Sequence, residues 1–260
     1  MRLLGESEVG EMADVPAVAM QEVDFSYNSA PVLEDVSFTI PQMDFAGIVG
    51  PNGGGKTTLL RLMLGLLKPD RGRVRIFGSR PDQMTTRVGY VAQGFQYDRK
   101  LPISAMDVVM MGRLGGTRSR SRERALETLE RVGVAHLAER PFADASAGQQ
   151  QRVLVARALA TDPDMLMLDE PTASLDAAAE RSIYALLAEL NEKMTIIVVT
   201  HDLSFVSQAV NSVLCVNRVV RRHPTAEMSE ISGELLEEMY GSDRRVVRHD
   251  HDWEEDSSGA

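Results

Sequence analysis

The chain has 260 residues, which is enough for one large domain, or a domain with a subdomain, around a sizeable core. Its hydrophobic content of 43% is ordinary for a soluble globular protein, and its net charge of −10 disfavours nucleic acid as the main partner. No apolar run long enough to span a membrane and no signal peptide are evident, and the single cysteine, Cys215, cannot form an internal disulfide, so we expect a soluble, cytoplasmic protein.

The first elements along the chain predict a β-hairpin. Residues 1–16 lack periodicity and are expected to be a loose tail, in which Met12 is an alternative start. Residues 17–27 and 32–40 alternate apolar and polar side chains, which is typical of half-buried strands. The intervening NSAP favours a turn, so we expect the two strands to pair.

A glycine-rich segment, GPNGGGKTT, lies between the apolar run FAGIV and a helix expected to begin near Lys56. The pattern G-x-x-x-x-G-K-[ST] in this setting is typical of a loop that binds nucleotide phosphates. Glycines allow successive backbone N–H groups to face phosphate oxygens, and the helix N-terminus adds partial positive charge. Lys56 is placed to reach the β- and γ-phosphates and Thr57 to bind Mg²⁺. The expected nucleotide-binding residues of this loop are Gly50, Pro51, Asn52, Gly53, Gly54, Gly55, Lys56, Thr57 and Thr58.

Helix and strand signals then alternate. Pro69 and Gly72 are expected to end the first helix, and RVRIF and RVGYVAQ predict strands, the second of which ends at Gln93. A helical insertion is expected over about residues 94–160.

Helix-start signals mark this insertion. Ser104, with Asp107 three positions later, predicts a capped helix start. The segment SRERALETLERVGV has helical periodicity, and we expect Leu126, Leu129 and Val132 on one face, opposite a solvated face of arginine and glutamate residues. A further helix, ASAGQQQRVLVARALA, is expected to begin close to Ser146.

The last part of the chain predicts the centre of an α/β fold. PDMLMLDEP, TIIVVTH and VNSVLCV read as buried strands, and DAAAERSIYALLAELNEK and ISGELLEEMYG as helices. Strands that alternate with helices imply an α/β core with a parallel sheet. The polar residues 243–260 are expected to be disordered.

Two acidic residues follow the apolar run MLML. Ligand sites of parallel sheets lie at the C-terminal ends of the strands, so Asp169 and Glu170 are expected to face the phosphate loop. Asp169 is placed to hold Mg²⁺ and Glu170 to polarise the attacking water. A solvated turn is the alternative for two such acids, and the phosphate loop disfavours it.

Three more residues at strand ends are candidates, each with a plainer alternative. His201 follows the strand TIIVV and could touch the γ-phosphate, although such a histidine often only ends a strand. Gln93 offers an amide oxygen for Mg²⁺. Tyr27 follows the first strand and could stack on adenine or pack in the core.

Taken together, these motifs resemble the ATP-binding subunit of an ABC transporter over residues 17–240. GPNGGGKT resembles the Walker A loop of that family, MLMLDE the Walker B strand and SLD, residues 174–176, the D-loop. Gln93 matches the Q-loop, His201 the H-loop and Tyr27 the aromatic A-loop. The order and spacing of these motifs are specific to the family.

The resemblance implies an α/β fold: a P-loop NTPase (ABC ATPase) core with a mainly parallel sheet, an N-terminal antiparallel β-hairpin subdomain and a helical subdomain. The ATPase domain is expected to span residues 17–242. ATP and Mg²⁺ are the implied cofactors, with Glu170 and His201 as catalytic residues and with Thr57, Gln93 and Asp169 around the metal.

The family's signature motif LSGGQ is represented by ASAGQ, residues 145–149. In the family this segment comes from the opposite subunit and caps the γ-phosphate, which assigns an in-trans role to Ser146, Ala147, Gly148, Gln149 and, through the D-loop, Asp176. Ala147 adds a Cβ where glycine allows close backbone approach or positive φ. We therefore expect a working site with weaker or slower closure.

The implied mechanism is a homodimer of nucleotide-binding subunits that sandwiches ATP, drives integral membrane permease subunits and resets on hydrolysis. The expected location is the cytoplasmic face of the membrane, with an extracytoplasmic substrate-binding protein as an indirect partner. A module without ATPase activity is disfavoured because Lys56, Asp169, Glu170 and His201 are intact.

The segment of residues 95–113 and the surroundings of the phosphate loop resemble the zinc/manganese importer branch. An importer for siderophores or cobalamin is the alternative, and a soluble ABC ATPase acting on nucleic acid or ribosomes is disfavoured by the acidic balance. In the tail HDHDWEED, His249 and His251 suit Zn²⁺, although a polar tail that happens to contain two histidines is the favoured interpretation.

Overall fold

The computed structural model describes residues 15–94, 102–112, 118–202 and 210–224. The strands in these ranges are β1 (Val18–Tyr27), β2 (Ala30–Ile40), β3 (Phe45–Val49), β4 (Arg71–Ile76), β5 (Val88–Val91), β6 (Met165–Asp169), β7 (Thr195–Val199), β8 (Ser212–Asn217) and β9 (Val219–Pro224). The helices are α1 (Lys56–Met63), α2 (Ala105–Met110), α3 (Arg118–Arg131), α4 (Ala147–Leu159) and α5 (Ala177–Asn191), with short 3-10 turns at Pro81–Gln83, Ala135–Leu137 and Phe142–Asp144.

The described strands form two sheets. The larger has the order β5-β6-β7-β3-β8-β9, in which all neighbours are parallel except the antiparallel pair β8 and β9. The smaller is antiparallel with the order β2-β1-β4. The predicted hairpin is therefore confirmed, and it turns at Asn28 and Ser29, which both have positive φ as in a type I′ turn.

The larger sheet lies between two apolar clusters, and its strands contribute to both because side chains alternate along a strand. In β6, Leu166 and Leu168 pack with α4 and α5, whereas Met165 and Met167 pack on the other face with α1 and the smaller sheet. Every residue of β3, β6 and β7 is buried. A parallel sheet covered on both faces needs such continuous apolar strands, so the α/β prediction is confirmed.

The described part of the predicted insertion contains α2, α3 and α4. Ser104 caps α2 with Asp107 as predicted: the Asp107 N–H donates to Ser104 Oγ at 3.1 Å, and the Ser104 N–H donates to Asp107 Oδ2 at 2.9 Å. The position of Leu126 is a correction, because its side chain is 39% exposed and its neighbour Ala125 occupies the buried face of α3 with Leu129.

Two predicted boundaries differ as well, and one strand was not predicted. Helix α1 ends at Met63, well before Pro69, because Gly65 adopts a left-handed φ of 71° that ends the helix. Strand β5 ends at Val91 and leaves Gln93 in the following loop. Strand β9, which the sequence did not predict, closes the edge of the larger sheet.

The predicted helix ISGELLEEMYG, the predicted tail at residues 243–260 and all of the predicted tail at residues 1–16 except residues 15 and 16 lie outside the described residues. The domain boundaries therefore stay predictions. Among the described helices, none combines the length and the apolar character needed to cross a bilayer.

Candidate nucleotide site

The glycine-rich loop joins β3 to α1 and is held in a tight curve. Gly50 has a φ of 149°, and a Cβ at this position would lie 2.1 Å from the carbonyl oxygen of Val216. Gly55, the N-cap of α1, has a φ of 106°, and its Cβ would lie 2.9 Å from Leu33 Cδ2. Only glycine fits these two positions, because the backbone conformation is left-handed and the space is already filled.

The turn between β8 and β9 supports this loop from outside the motif. Arg218 donates its backbone N–H to the Gly54 carbonyl at 3.2 Å and accepts from the Glu34 N–H at 2.9 Å. Val216 contacts Gly50 as described above. This support was not predicted, since the residues that supply it are distant in sequence and carry no motif.

Lys56 is the first residue of α1 and only 7% exposed. Its ammonium donates to the carbonyl oxygens of Gly50 at 2.9 Å and Pro51 at 3.0 Å. Burial lowers the pKa of Lys56, while the charges of Glu170 and Asp169 act in the opposite direction. The loop thus presents a cation beside the N-terminus of a helix whose first turn contains no acidic residue, which is an arrangement suited to phosphate.

Asp169 ends β6 behind this loop and is 2% exposed. Burial raises the pKa of the Asp169 carboxyl and nearby Glu170 raises it further, whereas a hydrogen bond from Thr57 lowers it. Its Oδ1 atom is buried without a hydrogen-bond partner among the described residues. A buried, unpartnered carboxylate oxygen beside a threonine hydroxyl is a donor set that fits a hard divalent cation.

Glu170 follows Asp169 in a conformation that is rare for its residue type, with a φ of 46°. Its backbone N–H donates to the Val199 carbonyl at 3.0 Å, which holds the turn against β7. Its side chain accepts a hydrogen bond from Gln93, whose Nε2 lies 2.6 Å from Glu170 Oε2. Gln93 therefore touches Glu170 across the neighbouring strand ends.

The phosphate loop borders a cavity of about 530 Å³, and a second cavity of about 540 Å³ shares Gln93 and Glu170 with it. Tyr27 lies at the lip of the phosphate-loop cavity, 41% exposed, with its ring edge-on to Phe25 at 4.9 Å between centroids. This exposure argues against the core-packing alternative for Tyr27. The predicted residues that line this cavity are Tyr27, Asn52, Gly53, Gly55, Lys56, Thr57, Thr58, Gln93 and Glu170.

The cavity lining omits one predicted residue, His201, and includes one that was not predicted, Val32. His201 is exposed just after β7 and does not line the cavity. Val32 lines it without having been predicted. Its position near the hairpin turn, on the strand that pairs with Tyr27, is the signal that could have identified it.

Ser146 is the N-cap of α4, so the signature segment begins a helix. Ser146 Oγ accepts from the Gln149 N–H at 3.3 Å, and Gln149 Oε1 accepts from the Ser146 N–H at 3.0 Å. Ala147 is exposed, lies within the helix and is not among the residues with positive φ, so of the two reasons for glycine at this position only close backbone approach remains, and that stays a prediction. Gly148 is the position where size matters, since its Cβ would lie 3.0 Å from the Cβ of Ala179 in α5.

The segment at Ser146 lies apart from the phosphate-loop cavity of its own chain. Of its residues, Ala147 borders the second cavity, which also includes Gln93 and Glu170. Asp176 lines neither cavity and caps α5, where its Oδ1 accepts from the N–H groups of Ala178 at 3.0 Å and Ala179 at 2.8 Å. His249 and His251 lie outside the described residues.

Comparison with known proteins adds an independent line of observation. The family model described as ABC transporter matches residues 33–173. The manganese transport system ATP-binding protein MntB of Bacillus subtilis is 40% identical over 86% of this chain and 92% of its own length. The zinc import ATP-binding protein ZnuC of Pseudomonas aeruginosa is 37% identical over 95% of this chain and 89% of its own length.

Solved structures show the same similarity. cbiO1 from Clostridium perfringens, part of the ABC transporter complex cbiONQ, has a TM-score of 0.74 at 28% identity and covers 82% of this chain and 90% of its own. The ATP-binding cassette MJ0796, in a dimeric post-hydrolysis state bound to ADP and Pi, has a TM-score of 0.68 at 29% identity over 80% of this chain and 98% of its own.

Proposed function

The chain belongs to the ABC transporter family of ATP-binding subunits, and from that premise we propose that it hydrolyses ATP to drive the import of a divalent metal ion, zinc or manganese. The observation that supports ATP hydrolysis is the phosphate-loop cavity, which is lined by Lys56, Thr57, Gln93 and Glu170 together. The choice of zinc or manganese as the transported ion is supported by the similarity to a manganese transport protein and a zinc import protein.

ATP occupies this cavity with its phosphates in the glycine-rich loop. The curve between Gly50 and Gly55 and the N-terminus of α1 supply backbone N–H groups, and Lys56 supplies a positive charge. Tyr27, at the exposed lip, is available to stack on the adenine ring.

Mg²⁺ fits the residues beside the loop. The buried Asp169 Oδ1 without a partner, the Thr57 hydroxyl and the Gln93 amide oxygen are the groups that would hold it, directly or through water. When bound, Mg²⁺ neutralises negative charge on the phosphate oxygens.

Glu170 is the proposed general base that takes a proton from the attacking water. Gln93, which donates to Glu170 Oε2, orients that carboxylate. His201 is proposed to contact the γ-phosphate. His201 is exposed just after β7 and does not line the cavity of the single chain, so its contact is proposed for the state in which ATP is bound.

The second subunit is proposed to be another copy of this chain. The segment at Ser146, Ala147, Gly148 and Gln149 would then cap the γ-phosphate of the opposite copy, with Asp176 beside it. A helix N-terminus with a serine cap offers the N–H groups and the dipole for that task. The dimeric state of MJ0796 supports this arrangement.

The proposed partners are integral membrane permease subunits at the cytoplasmic face of the membrane, with an extracytoplasmic binding protein reached through them. The cbiONQ complex, of which cbiO1 is a part, is a precedent for assembly with further components.

Metal import is tested by isotope uptake in cells of the source organism that lack this gene. We expect the wild-type chain to restore accumulation of zinc or manganese and Glu170→Gln to fail. Glu189→Gln, which changes an exposed residue of α5, is the matched control and should restore uptake.

A pull-down of the tagged chain in mild detergent identifies the partners. Recovery of a multi-span permease and a metal-binding extracytoplasmic protein supports the proposal. Uptake of a siderophore or cobalamin instead of metal, or recovery of only ribosomal or DNA-associated proteins, contradicts it.

A further inference from the structure

A buried tyrosine of α5 connects two turns at the edge of the candidate site. The Tyr184 hydroxyl lies 3.0 Å from Thr172 Oγ1 and 3.0 Å from Thr200 Oγ1. Thr200 Oγ1 also accepts from the backbone N–H of Asp202 at 3.1 Å. All three hydroxyl-bearing residues are buried, with Tyr184 6% exposed, Thr172 7% and Thr200 2%.

The two threonines lie immediately beside the proposed reacting groups. Thr172 is in the turn that begins at Glu170, and Thr200 directly precedes His201. Strands β6 and β7, which lead into these turns, are neighbours paired at Asp169 and Val199. The Tyr184 hydroxyl thus joins the turn after β6 to the turn after β7, in addition to the backbone of the sheet.

Glu170 has a backbone conformation that needs support from its surroundings. Its φ of 46° is unfavourable for a residue with a Cβ, and such conformations persist only where the surroundings hold them. The Glu170 N–H bond to Val199 holds the turn at its start. The contact of Thr172 with Tyr184 holds it two residues later.

The hydrogen bonds that join Thr172, Tyr184 and Thr200, called the bridge from here on, are made by neutral hydroxyl groups. Burial raises the pKa of Tyr184, so the phenol stays protonated at neutral pH. Each hydroxyl can donate once and accept from another group, so the chain from Asp202 N–H through Thr200 and Tyr184 to Thr172 is satisfied without a charge.

We propose that Tyr184 is a positioning residue for ATP hydrolysis, whose hydroxyl sets the placement of Glu170 relative to His201 by tying Thr172 to Thr200. This inference rests on the proposed ATPase roles of Glu170 and His201. Small displacements of reacting groups, of about 1 Å, lower rates by about 100-fold, so a bond this close to both residues has leverage on turnover.

The test uses Tyr184→Phe, which keeps the ring in the core and removes only the hydroxyl. Thr172→Val and Thr200→Val remove the other ends of the same bridge, so the inference remains testable if one variant does not fold. Thr128→Val is the matched control: Thr128 is 1% exposed, but its hydroxyl bonds the backbone of its own helix α3, at the Ala125 carbonyl.

Each folded bridge variant is expected to lower kcat for Mg²⁺-dependent ATP hydrolysis by about tenfold or more, while the Kd for ATP changes less than about twofold. We expect the Kd for ATP to change little because the phosphate loop joins β3 to α1, whereas the bridge involves α5 and the residues that follow β6 and β7. Thr128→Val should leave kcat within about twofold of wild type even if it lowers the Tm. The double variant Tyr184→Phe/Thr172→Val should lose no more than either single variant.

Unchanged kcat in the folded bridge variants, or losses in kcat that match the loss caused by Thr128→Val, would overturn the inference. Glu170→Gln is measured in parallel. If it retains turnover, the proposed role of Glu170 is wrong; if it abolishes turnover while Tyr184→Phe does not, only the role of Tyr184 is wrong.

Discussion

Replacing Glu170 with glutamine removes a carboxylate while keeping the shape of the side chain. In the structure, Glu170 Oε2 accepts a hydrogen bond from Gln93 Nε2 at 2.6 Å. The amide oxygen of glutamine can accept the same bond, and the strained backbone of the turn is unaffected. We therefore expect the free energy of unfolding to change by less than about 1 kcal/mol.

The effect on turnover should be much larger. An amide cannot take a proton from water, and a positioned general base contributes about 100-fold to 10,000-fold to a rate. This corresponds to an activation barrier raised by about 3 to 5 kcal/mol. ATP binding should persist, since Lys56 and the glycine-rich loop are intact, so the variant should accumulate as an ATP-bound dimer.

Phosphate release with Mg²⁺ and ATP measures turnover, and gel filtration with light scattering measures the dimer. Glu189→Gln, an exposed change on α5, is the control for an added amide and should behave as wild type. A Glu170→Gln protein that remains monomeric with ATP and hydrolyses it within about threefold of the wild-type rate would refute the reasoning, because a general base cannot be worth so little.

Other predictions concern acid–base behaviour, loop packing and the signature segment. Burial raises the pKa of Asp169, so its contribution to stability is present below the unfolded pKa of about 3.9 and is lost as pH rises through the folded pKa. In the absence of metal, the Tm of Asp169→Asn should therefore rise relative to the Tm of the wild type as pH increases from 4 to 8. A difference in Tm that stays constant over this range would contradict the argument. Gly50→Ala should cost about 2 kcal/mol more than Gly53→Ala in urea unfolding, because its Cβ would lie 2.1 Å from a carbonyl oxygen whereas that of Gly53 meets nothing within 4 Å; equal costs would disprove the clash. Ala147→Gly should raise steady-state ATPase turnover a few-fold at a cost of up to about 1 kcal/mol in helix stability, and unchanged ATP affinity and turnover would show that the methyl group does not slow closure.

The parts of the fold that were predictable are those encoded by local patterns. The strand Phe45–Val49 and the helix start at Lys56 have the predicted positions because an apolar run, a glycine loop and a helical periodicity follow one another without ambiguity. The end of α1 could not be predicted, because the apolar run continues past Gly65 and gives no sign that this residue adopts the left-handed conformation that ends the helix. In α3 and directly after it, the predicted face was correct at Leu129 and Val132, which are buried, but Ala125 rather than Leu126 completes it.

The candidate site divides in the same way. The motif residues from Asn52 to Thr58 were identifiable because their chemistry is tied to a fixed spacing. The contacts that Val216 and Arg218 make with the loop, and those of Tyr184 with two threonines, join residues far apart in sequence. No local sequence pattern predicts such contacts, because the residues that make them are brought together only when the strands pair into a sheet.

The strand order has a consequence for how the chain is made. Strand β3, which leads into the phosphate loop, lies between β7 and β8, and both of these come late in the chain. At a translation rate of about 5–20 residues per second, a ribosome takes roughly 10–30 s to synthesise the stretch between β3 and its neighbours. Throughout that interval the nascent chain carries an apolar strand whose partners have not been made, so the sheet around the phosphate loop cannot be complete before β7 and β8 have been synthesised.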